Sequence, residues 1–295
     1  MAKRIHVVIN PASGQPQPIL HTLNHVFNEA QADWDISLTK KAGDAERFAR
    51  QAAEAGVDVV AAYGGDGTVM EVARGLMGTP VQMAILPGGT ANLMSVELGI
   101  PKDLEKAAKI ACSQDSQVRR VDAGMVGDTF FLLRVGLGFA ARKVELADRQ
   151  LKDKYGVLAY SIAALKAVKQ TRAVDFRLTL DGKVTEVKAL TCLVDNAGNM
   201  GVSGFSPGRN ISVSDGLLDV IAITNAGFSS LVDAGKKLAE RGATESYVHW
   251  QAKDITIEAD PPQSVQIDGE MAGTTPVTIR VNPQILSILV AGNPV

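Results

Sequence analysis

The sequence has 295 residues, of which 46% are hydrophobic, and its formal net charge is −2. This composition is ordinary for a globular protein, and the length allows one large domain or two domains of about 100–200 residues each. Only 5% of the residues are aromatic and no run of lysine or arginine exceeds two residues. These features exclude the basic surface of a typical nucleic-acid-binding protein.

The two cysteines, Cys112 and Cys192, are far apart and match no metal-binding spacing, which is typical of a reducing compartment or of core positions. The first apolar run stops at Asn10-Pro11, so it is too short for the hydrophobic region of about 7–15 residues in a signal peptide. No other stretch approaches the roughly 18 apolar residues of a membrane span. We therefore expect a cytoplasmic protein.

The first half of the chain repeats one pattern, in which a short apolar run is followed by a small-residue turn and then a helical period. The apolar runs cover residues 4–10, 35–39, 57–63 and 81–87. Near-continuous apolar strands that alternate with helices predict a parallel α/β sheet covered on both faces. Ligands bind beyond the carboxyl ends of the strands in such sheets, so the turns after these strands are the candidate site.

Two of these turns are rich in glycine, YGGDGT at residues 63–68 and PGGTAN at residues 87–92. Glycine lets backbone N–H groups approach a phosphate, and Thr68, Thr90 or Asn92 is expected to cap the helix that follows. A tight turn with a cap explains either turn alone, but two on one sheet favour a ligand site. Neither turn spells a P-loop or the G-x-G-x-x-G of a dinucleotide site.

Asp66 lies among the glycines of the first turn. A phosphate at 4 Å would repel this carboxylate by about 4 kcal/mol at an effective dielectric constant of about 20. The structural alternative is that Asp66 interacts with the dipole of the following helix, which contributes about 0.3–1 kcal/mol. A carboxylate beside phosphates becomes favourable when Mg²⁺ lies between them, directly or through water. We therefore expect Asp66 to face Mg²⁺ that is bound to a phosphate ligand.

After Val121 the pattern changes to strands. Residues 174–196 alternate with a period of two around Asp181-Gly182, which is the signature of a hairpin. The other predicted strands lie within residues 211–224, 253–259, 264–273 and 275–281. The second half is therefore predicted to be an antiparallel β domain. We place the boundary after residue 124, which gives domains of residues 1–124 and 125–295.

Three motifs resemble those of one known family: NPASG (10–14), YGGDGTVMEV (63–72) and LPGGTANLM (86–94). In this order and spacing they are similar to the diacylglycerol kinase catalytic domain family, in particular to its soluble bacterial lipid kinases, which are related to sphingosine kinases. The likeness continues through FLLRVGLGFAARKV, SDGLLDV and IDGE. It implies an α/β nucleotide domain and a β-sandwich domain that meet at a cleft. It also implies transfer of the γ-phosphoryl group of ATP to a lipid hydroxyl.

The same resemblance implies the site residues. The IDGE turn supplies Asp268 and Glu270, with Glu270 favoured as the base that accepts the lipid hydroxyl proton and Asp268 assisting or facing Mg²⁺. A structural Mg²⁺ is implied at SDGLL, held by the side chain of Asp215 and by the backbone carbonyls of Ser212 and Leu217. A second Mg²⁺ accompanies ATP. The implied ATP site comprises Asn10, Thr39, Gly64, Gly65, Asp66, Gly67, Thr68, Val69, Met70, Gly88, Gly89 and Thr90.

Two departures from the family pattern stand out, one in the implied ATP site at Met70 and one at Leu93 and Val96 that leaves the acceptor open. Family members often carry Asn where Met70 stands, and Asp and Arg where Leu93 and Val96 stand. Diacylglycerol, a sphingoid base, phosphatidylglycerol and an isoprenoid alcohol all remain candidates. A noncatalytic protein that binds nucleotide or lipid and regulates a partner is an alternative. An enzyme similar to NAD kinase is less favoured, because PGGTANLM is a lipid-kinase spelling.

One helical segment, residues 154–170, interrupts the predicted β domain and is preceded by Lys152 and Lys154. Its functional interpretation is a lid that makes transient contact with the inner face of a membrane through basic side chains. The structural alternative is an ordinary helix packed on the β domain with solvated lysines. The expected partners are therefore ATP, a lipid alcohol and, under the first interpretation, a membrane surface.

Overall fold

A computed structural model describes residues 2–14, 17–138, 172–198, 211–224 and 247–292. The chain divides into two compact units, the first formed by residues 1–123 and 283–295 and the second by residues 124–282. The division near residue 124 lies where the sequence changes from helix-strand alternation to strands. The return of the final segment to the first unit was not expected, since the sequence analysis assigned every later residue to the second domain.

The first unit is built around a parallel sheet. Its described elements are β1 (Arg4–Ile9), α1 (Ile19–Glu29), β2 (Asp33–Leu38), α2 (Asp44–Glu54), β3 (Val59–Gly64), α3 (Asp66–Leu76), β4 (Gln82–Pro87), α4 (Leu93–Glu97) and α5 (Leu104–Cys112). The strands lie in the order β2-β1-β3-β4, and all three pairings are parallel. All six residues of β3 are buried, as expected of a strand covered on both faces. The predicted parallel α/β sheet is confirmed.

The final strand explains why the chain returns to the first unit. This strand, β16 (Val277–Val290), pairs in parallel with β4 at Ile288 and Met83. Leu286, Ile288 and Leu289 are buried. The alternation of apolar residues at 286 and 288 predicts a strand, but it does not reveal which sheet the strand joins.

Small residues let the helices of the first unit pack closely. A Cβ atom on Gly75 of α3 would lie 2.5 Å from the backbone oxygen of Glu46 and 2.9 Å from the Cβ of Ala49, both in α2. Only glycine therefore permits this approach of the two helices. At the start of α5, the carboxylate of Asp103 accepts a hydrogen bond of 2.9 Å from Lys106 N, which is an ordinary N-cap.

The second unit is formed by antiparallel strands. It begins within β5 (Gln117–Val126) and continues with β6 (Thr129–Phe131), β7 (Arg134–Gly138), β8 (Val174–Leu180), β9 (Lys183–Ala189), β10 (Thr191–Asp195), β11 (Leu218–Ile223), β12 (Tyr247–Ala252), β13 (Asp254–Asp260), β14 (Ser264–Ile267), β15 (Glu270–Thr274) and the first half of β16. One sheet has the order β12-β11-β10-β7-β14-β15, and the other contains β16-β13-β8-β9. Their apolar faces share one core, which includes Val135, Phe176, Val220 and Ile257. The predicted antiparallel β sandwich is confirmed.

The hairpin predicted at Asp181-Gly182 is confirmed. β8 and β9 pair from Val174 with Ala189 to Leu180 with Lys183, and both turn residues have positive φ, 47° and 80°. Positive φ at both central residues matches the right-handed twist of a two-residue hairpin. The predicted helix at residues 154–170, with Lys152 and Lys154, lies outside the described residues. Among the helices that the structure describes, none is long and apolar enough to cross a membrane.

Candidate functional site

Two glycine loops lie side by side at the carboxyl ends of β3 and β4. Gly88 N donates a hydrogen bond of 2.9 Å to the carbonyl of Gly64. The second loop closes on itself because the side chain of Asn92 accepts from Gly89 N at 2.9 Å and donates to the Gly89 carbonyl at 2.6 Å. Asn92 has a φ of 50°, a conformation that asparagine tolerates better than most residues. Asn92 therefore shapes this loop.

Most of the loop glycines are required by contacts within the protein. A Cβ atom on Gly89 would lie 2.5 Å from the Cα of Gly65, so the two backbones touch directly. On Gly64 it would lie 2.5 Å from the side chain of Thr68, and on Gly88 it would lie 2.9 Å from the ring of Tyr63. Packing alone therefore explains these glycines, which weakens the expectation that a close ligand accounts for all of them.

Gly67 differs from Gly64, Gly88 and Gly89. A Cβ atom at this position would meet no heavy atom within 4 Å in the described part of the chain, and φ is not in the left-handed region. The residue is exposed in the first turn of α3. Glycine in a helix destabilises the fold by about 0.5–1 kcal/mol relative to alanine, so neither packing nor backbone conformation accounts for it. A glycine in such a position leaves room for a ligand to approach the backbone closely.

Asp66 joins the two loops. It is the first residue of α3, and its Oδ1 accepts a hydrogen bond of 2.7 Å from Leu93 N, the first residue of α4. The carboxylate is thus close to the N-terminal ends of two helices, where negative charge is stabilised. It remains partly exposed. Its oxygen chemistry and exposure fit a group that shares Mg²⁺ with a phosphate.

The expected cap by Thr68 is wrong. Gly65 occupies the N-cap position of α3, and Thr68 lies inside the helix. The hydroxyl of Thr68 instead accepts a hydrogen bond of 3.0 Å from the Asn10 side chain. Asn92 occupies the N-cap position of α4, but its side chain makes no capping hydrogen bond there. Neither helix start is therefore capped by a side chain of its own N-cap residue. The hydrogen bond from Leu93 N to Asp66 joins the two helix starts instead.

The side chains of the remaining predicted ATP-site residues differ in their exposure to solvent. Thr39 follows β2 and donates its backbone N–H to Ile9 O at 2.9 Å, beside Asn10. Thr90 is exposed in the second loop. Val69 and Met70 are buried, with exposed fractions of 4% and 7%. The side chains of Val69 and Met70 are therefore core groups of α3, and the backbone N–H of Val69 already donates to Gly65 O at 3.1 Å.

Sequence reasoning missed Tyr63 and Gln17. Tyr63 is fully buried at the end of β3, and its hydroxyl accepts a hydrogen bond of 2.7 Å from the Gln17 side chain. The ring supports Gly88 from below, as its distance to a Cβ there shows. The sequence signal for this contact was a tyrosine at the end of a buried strand. Its large ring needs a neighbouring residue without a side chain, and Gly88 fills that position.

In the second unit, Asp268 fastens the IDGE turn to a segment distant in sequence. Its carboxylate accepts backbone hydrogen bonds from Leu132 N at 2.9 Å, Leu133 N at 3.1 Å and Arg134 N at 2.8 Å. Its own backbone N–H donates to Arg134 O at 3.0 Å. Both carboxylate oxygens are therefore engaged by the main chain. This arrangement favours a structural role for Asp268 and does not leave it available as a base.

Burial and hydrogen bonding shift the pKa of Asp268 in opposite directions. Removal from water raises the pKa of Asp268 to about 6, while hydrogen bonds from residues 132–134 and the charge of Arg134 act to lower it. Glu270 starts β15, two residues later, and is exposed. The two carboxylates of the turn thus have different environments, and Glu270 is the one whose oxygens can meet a substrate.

The predicted structural Mg²⁺ loop also lies in the second unit. Asp215 is exposed, and its Oδ1 accepts from Leu217 N at 3.1 Å. Ser212 Oγ accepts from Ser214 N at 3.3 Å. Oxygen donors in a compact turn suit a hydrated Mg²⁺ held by one carboxylate and two carbonyls. No group of three or more His, Cys, Asp or Glu side chains with metal-binding geometry occurs in the described ranges, so any metal here depends on carbonyls, phosphates or water.

Comparison with known proteins covers both units. Residues 4–126 match the family described as diacylglycerol kinase catalytic domain, and residues 134–290 match the YegS C-terminal NAD kinase beta sandwich-like domain. A Staphylococcus haemolyticus protein named "Putative lipid kinase" is 32% identical, over 86% of this chain and 84% of that protein. An uncharacterized protein of Synechocystis is 30% identical, over 96% of this chain and 69% of its own length. A crystal structure of a "putative diacylglycerol kinase" from Bacillus anthracis has a TM-score of 0.86 and 29% identity, covering 99% of this chain and 98% of that one.

The role of Asp268 can be tested by replacing it with alanine. Asp268→Ala leaves the three N–H groups of residues 132–134 without their acceptor, and each unsatisfied group costs about 1–3 kcal/mol. Asp181→Ala is the matched control, because Asp181 also precedes Gly in a hairpin with positive φ but is exposed, and its carboxylate accepts from Lys253 N and Asp254 N. In urea unfolding, we expect Asp268→Ala to lose about 2 kcal/mol more than the control. Equal losses would mean that the backbone contacts of Asp268 add nothing.

Proposed function

Because this chain belongs to the diacylglycerol kinase catalytic domain family, we propose that it is an ATP-dependent lipid kinase. It transfers the γ-phosphoryl group of ATP to a hydroxyl group of a lipid. The turn after β3 binds the phosphates of ATP through backbone N–H groups at the start of α3. The loop after β4, whose Gly88 and Gly89 N–H groups bond within the protein, lines the same site. Asn10, Thr39 and Thr90 complete the nucleotide site at the same ends of the strands.

The observation that carries this proposal is the unexplained glycine at position 67. Gly64, Gly88 and Gly89 are required by protein contacts, whereas a side chain at Gly67 would enter open space. Gly67 lies in the first turn of a helix, where N–H groups point outwards and the helix dipole favours an anion. A phosphate that approaches the backbone at this point explains both the glycine and its exposure.

Asp66 is the residue that would hold Mg²⁺ beside the phosphates. When bound, Mg²⁺ neutralises phosphate charge and helps to align the γ-phosphoryl group with its acceptor. One oxygen of Asp66 is occupied by Leu93 N, so the carboxylate has a fixed orientation before any ligand binds. Asp215, with the carbonyls of Ser212 and Leu217, would hold the second, structural Mg²⁺.

Glu270 is the proposed general base. It accepts the proton of the lipid hydroxyl, whose oxygen then bonds to the γ-phosphorus as the bond to the β-phosphate oxygen breaks and ADP leaves. Asp268 supports this role by fixing the turn that carries Glu270. The assignment follows from environment, since Asp268 is engaged by three backbone groups and Glu270 is exposed.

The acceptor remains open among diacylglycerol, a sphingoid base, phosphatidylglycerol and an isoprenoid alcohol. Where relatives often carry an aspartate, this chain has Leu93, whose backbone N–H is bonded to Asp66. An acceptor that depends on that missing carboxylate must be held differently here. Catalysis on any of these lipids requires access to a membrane surface, so we also propose transient contact with the cytoplasmic face of the membrane.

The phosphate-binding role of Gly67 predicts an unusual pair of effects for Gly67→Ala. Stability should rise by about 0.5–1 kcal/mol, because alanine is the better helix former and the added methyl group meets no protein atom. The KM for ATP should rise at least about tenfold, equivalent to about 1.4 kcal/mol of lost binding. Urea unfolding and steady-state kinetics measure the two effects. An unchanged KM would remove ligand approach as the reason for this glycine.

Asp66→Asn and Asp66→Ala separate the charge of Asp66 from its hydrogen bond. An asparagine oxygen can still accept from Leu93 N, so we expect nearly wild-type stability but a fall in kcat of at least about 100-fold, a typical loss when one preorganised charge stabiliser is removed. Asp66→Ala should lose similar activity and also about 1.5–3 kcal/mol of stability with the hydrogen bond. Wild-type turnover by Asp66→Asn would exclude the charge from the mechanism.

Glu270→Gln tests the base and the proposed function together. With labelled ATP and a total lipid extract, the wild-type protein should label one lipid class, and Glu270→Gln should reduce kcat by about 10²–10⁴-fold. Glu186→Gln is the control, because Glu186 is also an exposed strand residue of the second unit and should retain activity. Labelled NAD instead of lipid would favour the NAD kinase alternative. Tight ATP binding without lipid-dependent ADP release would favour a noncatalytic regulator.

A further inference from the structure

A buried polar cluster lies on one face of the six-stranded sheet in the second unit. It consists of Arg134, Asp195, Asp219 and His249, which we call the Asp195 cluster. Asp195 on β10 pairs in register with Arg134 on β7 on one side and with Asp219 on β11 on the other. The side chain of His249 on β12 contacts Asp219 Oδ1 at 2.6 Å. Arg134, Asp195 and Asp219 thus lie directly opposite one another, and His249 on the fourth strand is displaced by two residues from this row.

Asp195 has a carboxylate that is buried without hydrogen bonds from the described residues. It is 0% exposed, and neither carboxylate oxygen has a hydrogen-bond partner in the described ranges. The side chain of Arg134 lies beside it, with Nε 3.5 Å from Asp195 Oδ1. Asp219 is equally buried but has its bond to His249. A carboxylate that is withdrawn from water without hydrogen bonds opposes folding.

Arg134 connects this carboxylate to the IDGE turn. Its side chain meets Asp195, while its backbone N–H donates to Asp268 Oδ1 at 2.8 Å and its carbonyl accepts from Asp268 N at 3.0 Å. Asn196, next to Asp195, binds the same segment from the other side, with its side chain donating to Leu132 O at 2.8 Å. The end of β10 therefore holds residues 132–134, and residues 132–134 hold Asp268.

We propose that Asp195 is a positioning residue, whose carboxylate fixes Arg134 and thereby holds the IDGE turn and Glu270 in place. The proposal rests on the proposed phosphoryl transfer for its functional meaning, but the mechanical link within the second unit can be tested alone. Asp195 opposes folding, and it is linked through Arg134 and Asp268 to the proposed general base. A destabilising residue in such a position is typically retained for function.

The ionisation of Asp195 determines the sign of its effect on stability. Burial raises the pKa of Asp195 to about 6, with Arg134 and His249 lowering it and Asp219 and Asp268 raising it. The thiol of Cys192 lies on the same strand and has its own pKa raised to about 12 by burial, so it stays neutral. Folding therefore favours the protonated acid. The stability from this group is complete at pH values below its ordinary pKa of 3.8 and is lost as the pH rises through about 6.

The test is Asp195→Asn at pH 8, where the wild-type carboxylate is ionised. Asparagine has nearly the same shape and no charge, so we expect the Tm to rise by several degrees. Because Arg134 loses its anchoring charge, hydrogen exchange at the amides of residues 132–134 should become at least about tenfold faster despite the higher Tm. Asp219→Asn is the matched control, as it removes a buried charge two strands away from Arg134, and exchange at residues 132–134 should not change.

Three outcomes would overturn the proposal: a lower Tm for Asp195→Asn, unchanged exchange at residues 132–134, or the same acceleration in Asp219→Asn. A purely structural Asp195 gives the first of these. Neither measurement needs catalysis, so they decide the link to the turn even if wild-type protein phosphorylates no lipid, a result that would contradict the proposed function alone. If the wild-type protein is active, kcat of Asp195→Asn should fall about tenfold, equivalent to about 1.4 kcal/mol, with the KM for ATP unchanged.

Discussion

The close approach of two backbone loops is the constraint on which the first unit depends. A Cβ atom on Gly89 would lie 2.5 Å from the Cα of Gly65, so the contact needs glycine at position 89, and it brings the ends of β3 and β4 together. Once the loops are this close, Asp66 at the start of one helix can accept the first N–H of the next helix. Parallel strands supply the common edge, but glycine determines that two adjacent turns form one surface.

Carboxylates play opposite parts in the two units. Asp66 accepts a hydrogen bond from Leu93 N and stays partly exposed, which fits its proposed role beside a cation. Asp268 has both oxygens engaged by residues 132–134, which gives it a structural role, and the exposed Glu270 is the proposed base. Two carboxylates in one short turn acquire separate functions because their surroundings differ, as in other sites that divide acid and base roles.

Local patterns in the sequence predicted the elements well, whereas long-range pairing stayed hidden. Apolar runs and glycine turns identified β1 to β4, and Asp181-Gly182 identified its hairpin, because these signals lie within a few residues. The pairing of β16 with β4 and the contact of Asp268 with Leu132 join distant segments. Thr68 was expected to be a cap because threonine near a glycine turn often is one. Its true partner, Asn10, is equally invisible to a local pattern.

A glycine-rich turn in a sequence is therefore weak evidence for a ligand site. The structure separates glycines that packing requires from glycines that it does not require. A glycine that is required by a neighbouring backbone or ring says only that the fold is tight. No packing contact among the described residues requires glycine at position 67. In the other unit, no hydrogen bond within the described residues compensates the burial of the Asp195 carboxylate. Both residues oppose stability locally, one through helix propensity and the other through a buried charge. Residues that disagree with the folding rules around them are where selection for function is most directly visible.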